Sequence, residues 1–334
     1  MKKIIITLLG IIFTSVNTYA DTRAAVLLLH NGQGKTFETD QLQAAVNEAV
    51  NGDTICLSEG SFSVGDGLTI DKKISIIGAG EISKIIGNVK VAIDDAPTLS
   101  SRLLDALRIN GDLTIANEVY GVKIRKIWLG GKLSSSAITK IEIDRCFIYE
   151  YTASPKIKSA TFVGSILNYI RGGSAGNDTN FFNCSISFVV ASSNGYIYDV
   201  TFENCIIYSH SNGAEHNRNI YRNTLIKGVS STSTSEFFID PTTLLNCYLV
   251  SNLTINQELS NNGSFPTFLL DKTAITAESL VTAGYVGTDG TAVGHLGGSA
   301  PYTLTPSGIN VIESLLKLDA EKKQLNVTLK VTSN

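Results

Sequence analysis

Between Val122 and Val250 the apolar positions recur in a fixed six-residue frame that reads apolar, variable, Asn-type, Cys-type, variable, apolar. The copies begin at Ile124, Ile143, Phe162, Phe181, Phe202, Tyr221 and Leu244, which lie 19, 19, 19, 21, 19 and 23 residues apart. Short β-type runs repeating about every 20 residues predict a stacked solenoid, because one such unit cannot bury its apolar face alone. Alternation outward from the Asn position sends the residue two before it inward, together with the residues one and three after it. Phe162, Phe181, Phe202 and Tyr221 then form one buried aromatic column, each ring worth about 1.5–3 kcal/mol. Cys146, Cys184, Cys205 and Cys247 form a second column, read as small apolar core residues with free thiols. Asn183, Asn204, Asn223 and Asn246 fall at one-residue corners, where Asn tolerates the left-handed conformation and stacked amides bond along the axis. Gly164 suits the same corner, whereas Lys126 and Arg145 predict irregular first corners. At about 4.8 Å per coil the seven copies span about 30 Å.

Outside the frame the pattern changes. Asp40 reads as an N-cap with Gln43 completing a capping box. Leu42, Ala45, Val46, Ala49 and Val50 then share one face of a helix over about 40–50, which would cover the open end of the coils. Residues 94–105, with Pro97, read as a loop inserted between early coils. Ile309–Leu318 and Gln324–Val331 predict a hairpin in a 301–334 extension that caps the C-terminal end or lies along the side. The expectation is thus an all-β, right-handed parallel β-helix over 21–300, with regular coils over about 120–252, an N-terminal capping helix and a C-terminal hairpin.

Composition adds the compartment. Met1-Lys2-Lys3, an apolar run from Ile4 to Phe13, and Thr18-Tyr19-Ala20 before Asp21 have the form of a secretory signal peptide over residues 1–20, cleaved between Ala20 and Asp21. The expected location is exported: periplasmic, cell-surface or extracellular. No later apolar run is long enough for a transmembrane helix. Loss of Lys2 and Lys3 leaves 25 of the 27 basic residues against 30 acidic ones, a net charge near −5. The basic residues are scattered, so a nucleic-acid footprint is not expected.

The run Leu42-Gln43-Ala44-Ala45-Val46, Asn51-Gly52-Asp53-Thr54-Ile55-Cys56-Leu57, Gly60-Ser61-Phe62, Leu68-Thr69-Ile70 and Ile76-Ile77-Gly78-Ala79-Gly80 resembles the opening of right-handed parallel β-helix proteins of the pectate-lyase-like superfamily. Thr288-Asp289-Gly290-Thr291 with Val293-Gly294-His295-Leu296-Gly297-Gly298 is similar to the closing segment of secreted bacterial members, of a Bacteroidetes type. The resemblance covers about residues 37–300. It implies a groove along one outer face, with either Ca²⁺-binding acids and an Arg or Lys base, or closely set Asp residues for glycoside hydrolysis.

The repeat does not supply such acids on adjacent coils. The outward position before the corner reads Arg125, Asp144, Val163, Phe182, Glu203, Arg222, Leu245, which predicts surface ion pairs Arg125–Asp144 and Glu203–Arg222. The loop Ser209–Arg218 holds His210, Glu215, His216 and Arg218, weak candidates for acid–base chemistry or sugar contact against the plainer reading of a solvated loop. Arg171 and Asp178 flank a Gly-rich loop and rate lower. The position two after the corner is unusually apolar: Trp128, Phe147, Ile166, Ser185, Ile206, Leu225, Tyr248, with Tyr149 and Tyr208 two residues on. Such a stripe is covered by a loop or by the C-terminal hairpin, or it binds sugars through its rings. No metal ligand set and no cofactor are expected, Ca²⁺ entering only under a lyase reading. The leading expectation is a non-catalytic protein that engages polysaccharide or another extracellular surface partner. The alternatives are a polysaccharide lyase or glycoside hydrolase, and a structural spacer or adhesin-like module.

Overall fold

A computed structural model describes residues 24–93, 102–116, 119–135, 139–152, 157–171, 178–190, 199–211, 219–227, 244–249, 263–264, 275–302, 309–319 and 324–333. The signal-peptide segment, with Ala20 and Asp21, lies outside them.

The corner governs the architecture. Lys126, Arg145, Asn183, Asn204, Asn223 and Asn246 all take positive φ between 47° and 55°, and Gly164 matches them at 54°. Ala106, at 52°, extends the series one coil earlier. The first corners are therefore regular, against the expectation from their Lys and Arg. Each corner N–H donates to the carbonyl that precedes the corner of the next coil: Lys126 to Asp144 (2.9 Å), Arg145 to Val163 (2.9 Å) and Asn204 to Arg222 (3.0 Å). This bond offsets the roughly 1–2 kcal/mol that a side chain with a Cβ costs in the left-handed region.

The same carbonyl accepts a second proton from the column just after the corner. Cys184 Sγ donates to Phe182 O at 3.3 Å, Cys205 Sγ to Glu203 O at 3.4 Å and Cys247 Sγ to Leu245 O at 3.5 Å. Where Ser or Thr replaces Cys, Ser165 Oγ donates to Val163 O at 3.0 Å and Thr224 Oγ1 to Arg222 O at 2.8 Å, and only the first copy, with Ile127, lacks the donor. The thiols are free and buried as expected, but the column is one of donors rather than of apolar filler. That is why Ser and Thr interrupt it without penalty. Beside it the aromatic column stacks: Phe162–Phe181 at 4.7 Å, Phe181–Phe202 at 5.1 Å and Phe202–Tyr221 at 5.1 Å, with interplanar angles of 20°, 9° and 9°.

Each coil has three outward faces. The first carries the strands before the corner, paired in parallel from Thr54–Leu57 to Leu244–Leu245. The second begins after the corner. A bend then leads to the third, and at this bend two successive residues face outward: Tyr149 and Glu150 lie between inward Ile148 and Tyr151. In early coils the bend splits the chain into Ser83–Ile86 and Val89–Val91, and into Arg108–Ile109 and Leu113–Ile115. From Trp128–Ser135 onward one strand runs through it. The segment read as a loop over 94–105 ends in the strand Arg102–Asp105.

The N-terminal end is closed by the helix Leu42–Glu48 and by the hairpin Val26–His30/Gln33–Phe37, turned at Asn31-Gly32 and antiparallel to the first coil. Leu42, Ala45 and Val46 are fully buried. The cap differs from expectation: Gln41 is the N-cap residue and makes no side-chain cap bond. Gln43 clamps the first coil instead, accepting from Thr69 N (2.7 Å) and donating to Thr69 O (3.1 Å). The helix stops at Glu48, so Val50 turns outward and is 49% exposed.

Residues 275–302 run back along the corner as a strap. Its helix Ala277–Thr282 starts in a reciprocal capping box between Thr276 and Ser279. Asn183 Nδ2 donates to Gly297 O. Asn223 donates to Thr288 Oγ1 at 3.2 Å and accepts from Thr288 N at 3.0 Å, while Gly294 N reaches Asn223 O at 2.8 Å. Asn246 Nδ2 donates to Val286 O at 3.0 Å. Gly298, at φ +73°, passes so close to the Asn204 amide that a Cβ would collide with it. A direct axial amide bond joins Asn246 to Asn223 at 2.8 Å. The Asn series is thus chiefly a rail for the strap, and only in part the axial ladder expected of it. The C-terminal strands Ile309–Asp319 and Gln324–Ser333 form the antiparallel hairpin the sequence predicts, in a separate unit.

Two outcomes test this account. Cys205→Ala should lower stability by about 1 kcal/mol more than Cys205→Ser, because only serine keeps the donor to the corner carbonyl; equal urea midpoints would remove the donor role. Asn223→Ala should free the strap, giving proteolytic cleavage within 275–302 several-fold faster than in the wild type while the coils stay protected.

Candidate functional site

The third face is where side chains gather that packing does not require. Cross-strand register fixes two rows on it. The first row runs Gly67, Asn88, Asp112, Lys132, Glu150, Tyr169 and Phe188. The second runs Thr69, Lys90, Thr114, Ser134, then Thr152, Arg171 and Val190.

The C-terminal half of this face is aromatic. Tyr169 and Phe188 stack at 5.1 Å and 15°, and Tyr149 meets Tyr169 edge-on at 5.6 Å and 66°. Tyr149 and Phe188 are 44% and 39% exposed. Because Tyr149 is tilted and Phe188 ends the stack, each leaves a ring face uncovered by another ring. Beside them sits Glu150, only 4% exposed although it faces outward. Arg171 Nε donates to Glu150 Oε2 at 2.7 Å and Lys132 Nζ lies 3.5 Å from Oε1. That bond raises the Arg171 guanidinium above its usual range and keeps it charged. Arg171 also lies 5.3 Å from the Tyr169 ring centre. Rings held upright by a rigid sheet, with a fixed carboxylate–guanidinium pair alongside, can stack on a sugar and bond its hydroxyls.

The N-terminal half is polar. A cleft of about 290 Å³ opens there, lined by Asp66, Asn88, Lys90, Asp112 and the hydroxyls of Thr69 and Thr114. Asn88 and Asp112 are held in place by the stack: Asn88 Oδ1 accepts from Asp112 N at 2.9 Å and Asp112 Oδ1 from Lys132 N at 2.8 Å.

The apolar stripe divides in two. Ile206 and Leu225 are buried with Leu280, Ala292 and Val293 of the strap, and Tyr208 and Tyr248 pack against that cluster. Tyr248 meets Tyr285 edge-on at 4.9 Å. In the other half Trp128 and Phe147 stack at 5.2 Å and 8°, with the Arg108 guanidinium 3.8 Å from the Trp128 ring centre. These rings cover one another's faces and present edges. Tyr169 and Phe188 escape the sequence reading because the bend adds one outward residue, placing them five positions after the corner, where strict alternation points inward.

Other expected sites fall elsewhere. His210 is not in a solvated loop: it lies on the strand Ile206–Ser211, fully buried and hydrogen-bonded to the Tyr221 hydroxyl at 2.8 Å. Glu215, His216 and Arg218 lie outside the described residues. Arg125 turns to Asp105, with a bidentate contact of 2.9 and 3.2 Å, rather than to Asp144. Glu203–Arg222 forms as expected at 3.8 Å. Among the described residues no cluster of three or more His, Cys, Asp or Glu converges to hold a metal ion, and no helix is long and apolar enough to cross a membrane. No family model, curated protein or solved structure matches the chain.

Burial pushes the His210 imidazole down to about 3 and that of His295 down to about 4, from 6.5. Below pH 6.5 the unfolded chain takes up protons that the folded one refuses. Their contribution to stability is complete above that value and is lost on acidification toward pH 4 and below. His210→Val, matching Val189 at the same inward position one coil earlier, should flatten the fall in Tm between about pH 7 and 5. An unchanged slope would locate the acid response elsewhere.

Proposed function

We propose that the protein is an exported β-helix of the pectate-lyase-like kind that binds polysaccharide through the third face of its coils without cleaving it. The observation that carries this reading is the exposed aromatic group Tyr149, Tyr169 and Phe188 beside the Glu150–Arg171 pair, on strands too rigid to close over a ligand. Soluble proteins seldom leave large rings half exposed next to fixed charges unless something docks there. A linear glycan lying along the axis would meet the exposed rings of Tyr149 and Phe188 and find its hydroxyl partner in the half-exposed Arg171 guanidinium, which Glu150 holds in place. Export follows from the leader-like residues 1–20, and it would place this face among extracellular glycans.

Affinity electrophoresis against neutral and uronic-acid polysaccharides, with and without Ca²⁺, tests the reading. Retardation by at least one polymer is expected, with no reducing ends released. Tyr149→Ala with Phe188→Ala should weaken it at least tenfold, about 1.4 kcal/mol or more, at unchanged Tm. Product release would replace binding by catalysis, and binding indifferent to both substitutions would move the site off this face.

A further inference from the structure

The polar cleft and the Tyr169–Phe188 stack lie on the same face, with Tyr149 beside the row that joins them, and strand pairing runs between them from Leu68 to Phe188. Their chemistry differs. Around the cleft stand two carboxylates, Asp66 and Asp112, with one ammonium, Lys90, and hydroxyl and amide groups from Thr69, Thr114 and Asn88. A net acidic lining repels a polyanion, while carboxylates interleaved with hydroxyls and an amide suit the donor and acceptor pairs of uncharged vicinal diols.

Backbone packing is tight at the bend beside the cleft. A Cβ at Gly111 would strike the Gly87 carbonyl, and one at Gly131 would strike the Gly111 carbonyl and the Asp112 carboxylate. Close coil contact therefore demands glycine at the bend, where neighbouring backbone and the Asn88 and Asp112 side chains fill the space that a Cβ would take. In later coils the equivalent bend carries Tyr149 and Tyr169. The bend thus leads from the cleft to the first ring.

We propose that the cleft is a second binding site for the same chain: a neutral polysaccharide lies along the third face, gripped by the polar cleft at one end and by the rings at the other. This rests on the reading of the aromatic group as a glycan site. Cleft and rings are several coils apart, at about 4.8 Å per coil, so a short oligosaccharide reaches one of them and a long chain reaches both. Tethering at one site then raises the effective concentration at the other.

Isothermal titration of the full chain with a length series from a neutral polysaccharide retained in the electrophoresis screen decides the matter, using Asp66→Ala with Lys90→Ala and, separately, Tyr149→Ala with Phe188→Ala. Both cleft residues are exposed, so folding is not at risk, and an unchanged Tm confirms it. The wild type should bind long chains at least tenfold tighter than short ones. The cleft variant should lose that gain yet keep the short-chain affinity; the ring variant should lose both. Equal affinity at every length, or a cleft variant that behaves as wild type, overturns the second site while leaving the aromatic site standing. If no polysaccharide of any kind binds, it is the aromatic reading that fails, and this proposal falls with it. Retention of polyanions alone overturns the neutral specificity.

Discussion

From Arg145 to Asn246 the carbonyl that precedes each corner accepts twice, from the corner N–H of the coil behind it and from the thiol or hydroxyl two residues ahead. The backbone bond is present at Ala106 and Lys126 as well, and it offsets the cost of a left-handed corner that is disfavoured for any residue with a Cβ and that the stack repeats on coil after coil. Lys126, Arg145 and Ala106 occupy the conformation as fully as Asn does. The hydrogen bonding, more than the corner residue's own preference, sets the geometry. The aromatic and aliphatic columns then fall into line at the strand spacing, and the exterior inherits their regularity. Face-three side chains hold fixed positions because the core beneath them has no freedom to shift.

Much of this was legible before any coordinates. Phe162, Phe181, Phe202 and Tyr221 announce their column because alternation and repeat spacing agree there, two independent periodicities that coincide only in stacked strands. What alternation could not reveal is the bend. A second outward residue slips the phase by one, so Tyr169 and Phe188 appear as interior positions and His210, which is interior, appears as part of a loop. The cleft was missed for a different reason. Asp66, Asn88 and Asp112 lie in coils whose corners carry no Asn or Cys, so the frame that organises the later coils says nothing about them.

The strap answers a question that the repeat itself raises. Asn is confined to the four corners from Asn183 to Asn246, while Ala106, Lys126, Arg145 and Gly164 serve upstream. Solenoid stability alone does not distinguish these positions, since all share one backbone conformation. The distinction follows from the residues that lie over them. Gly297, Thr288 and Val286 bond the amides of Asn183, Asn223 and Asn246, and Gly298 packs close against that of Asn204. The strap also buries the lower part of the apolar stripe, which leaves the rings of the third face as the large aromatic surface open to solvent among the described residues.

A segment that counts corners acts as a ruler. Adding or removing a coil within Asn183–Asn246 would put the strap out of step with every amide beyond the change, whereas a coil inserted near Lys126 would leave that match intact. The molecule therefore has one end whose length is locked and one that can lengthen or shorten. The locked end holds the last ring, Phe188, and the variable end holds the cleft. A change in the number of coils at the variable end would therefore alter the distance between the cleft and the rings without disturbing the strap.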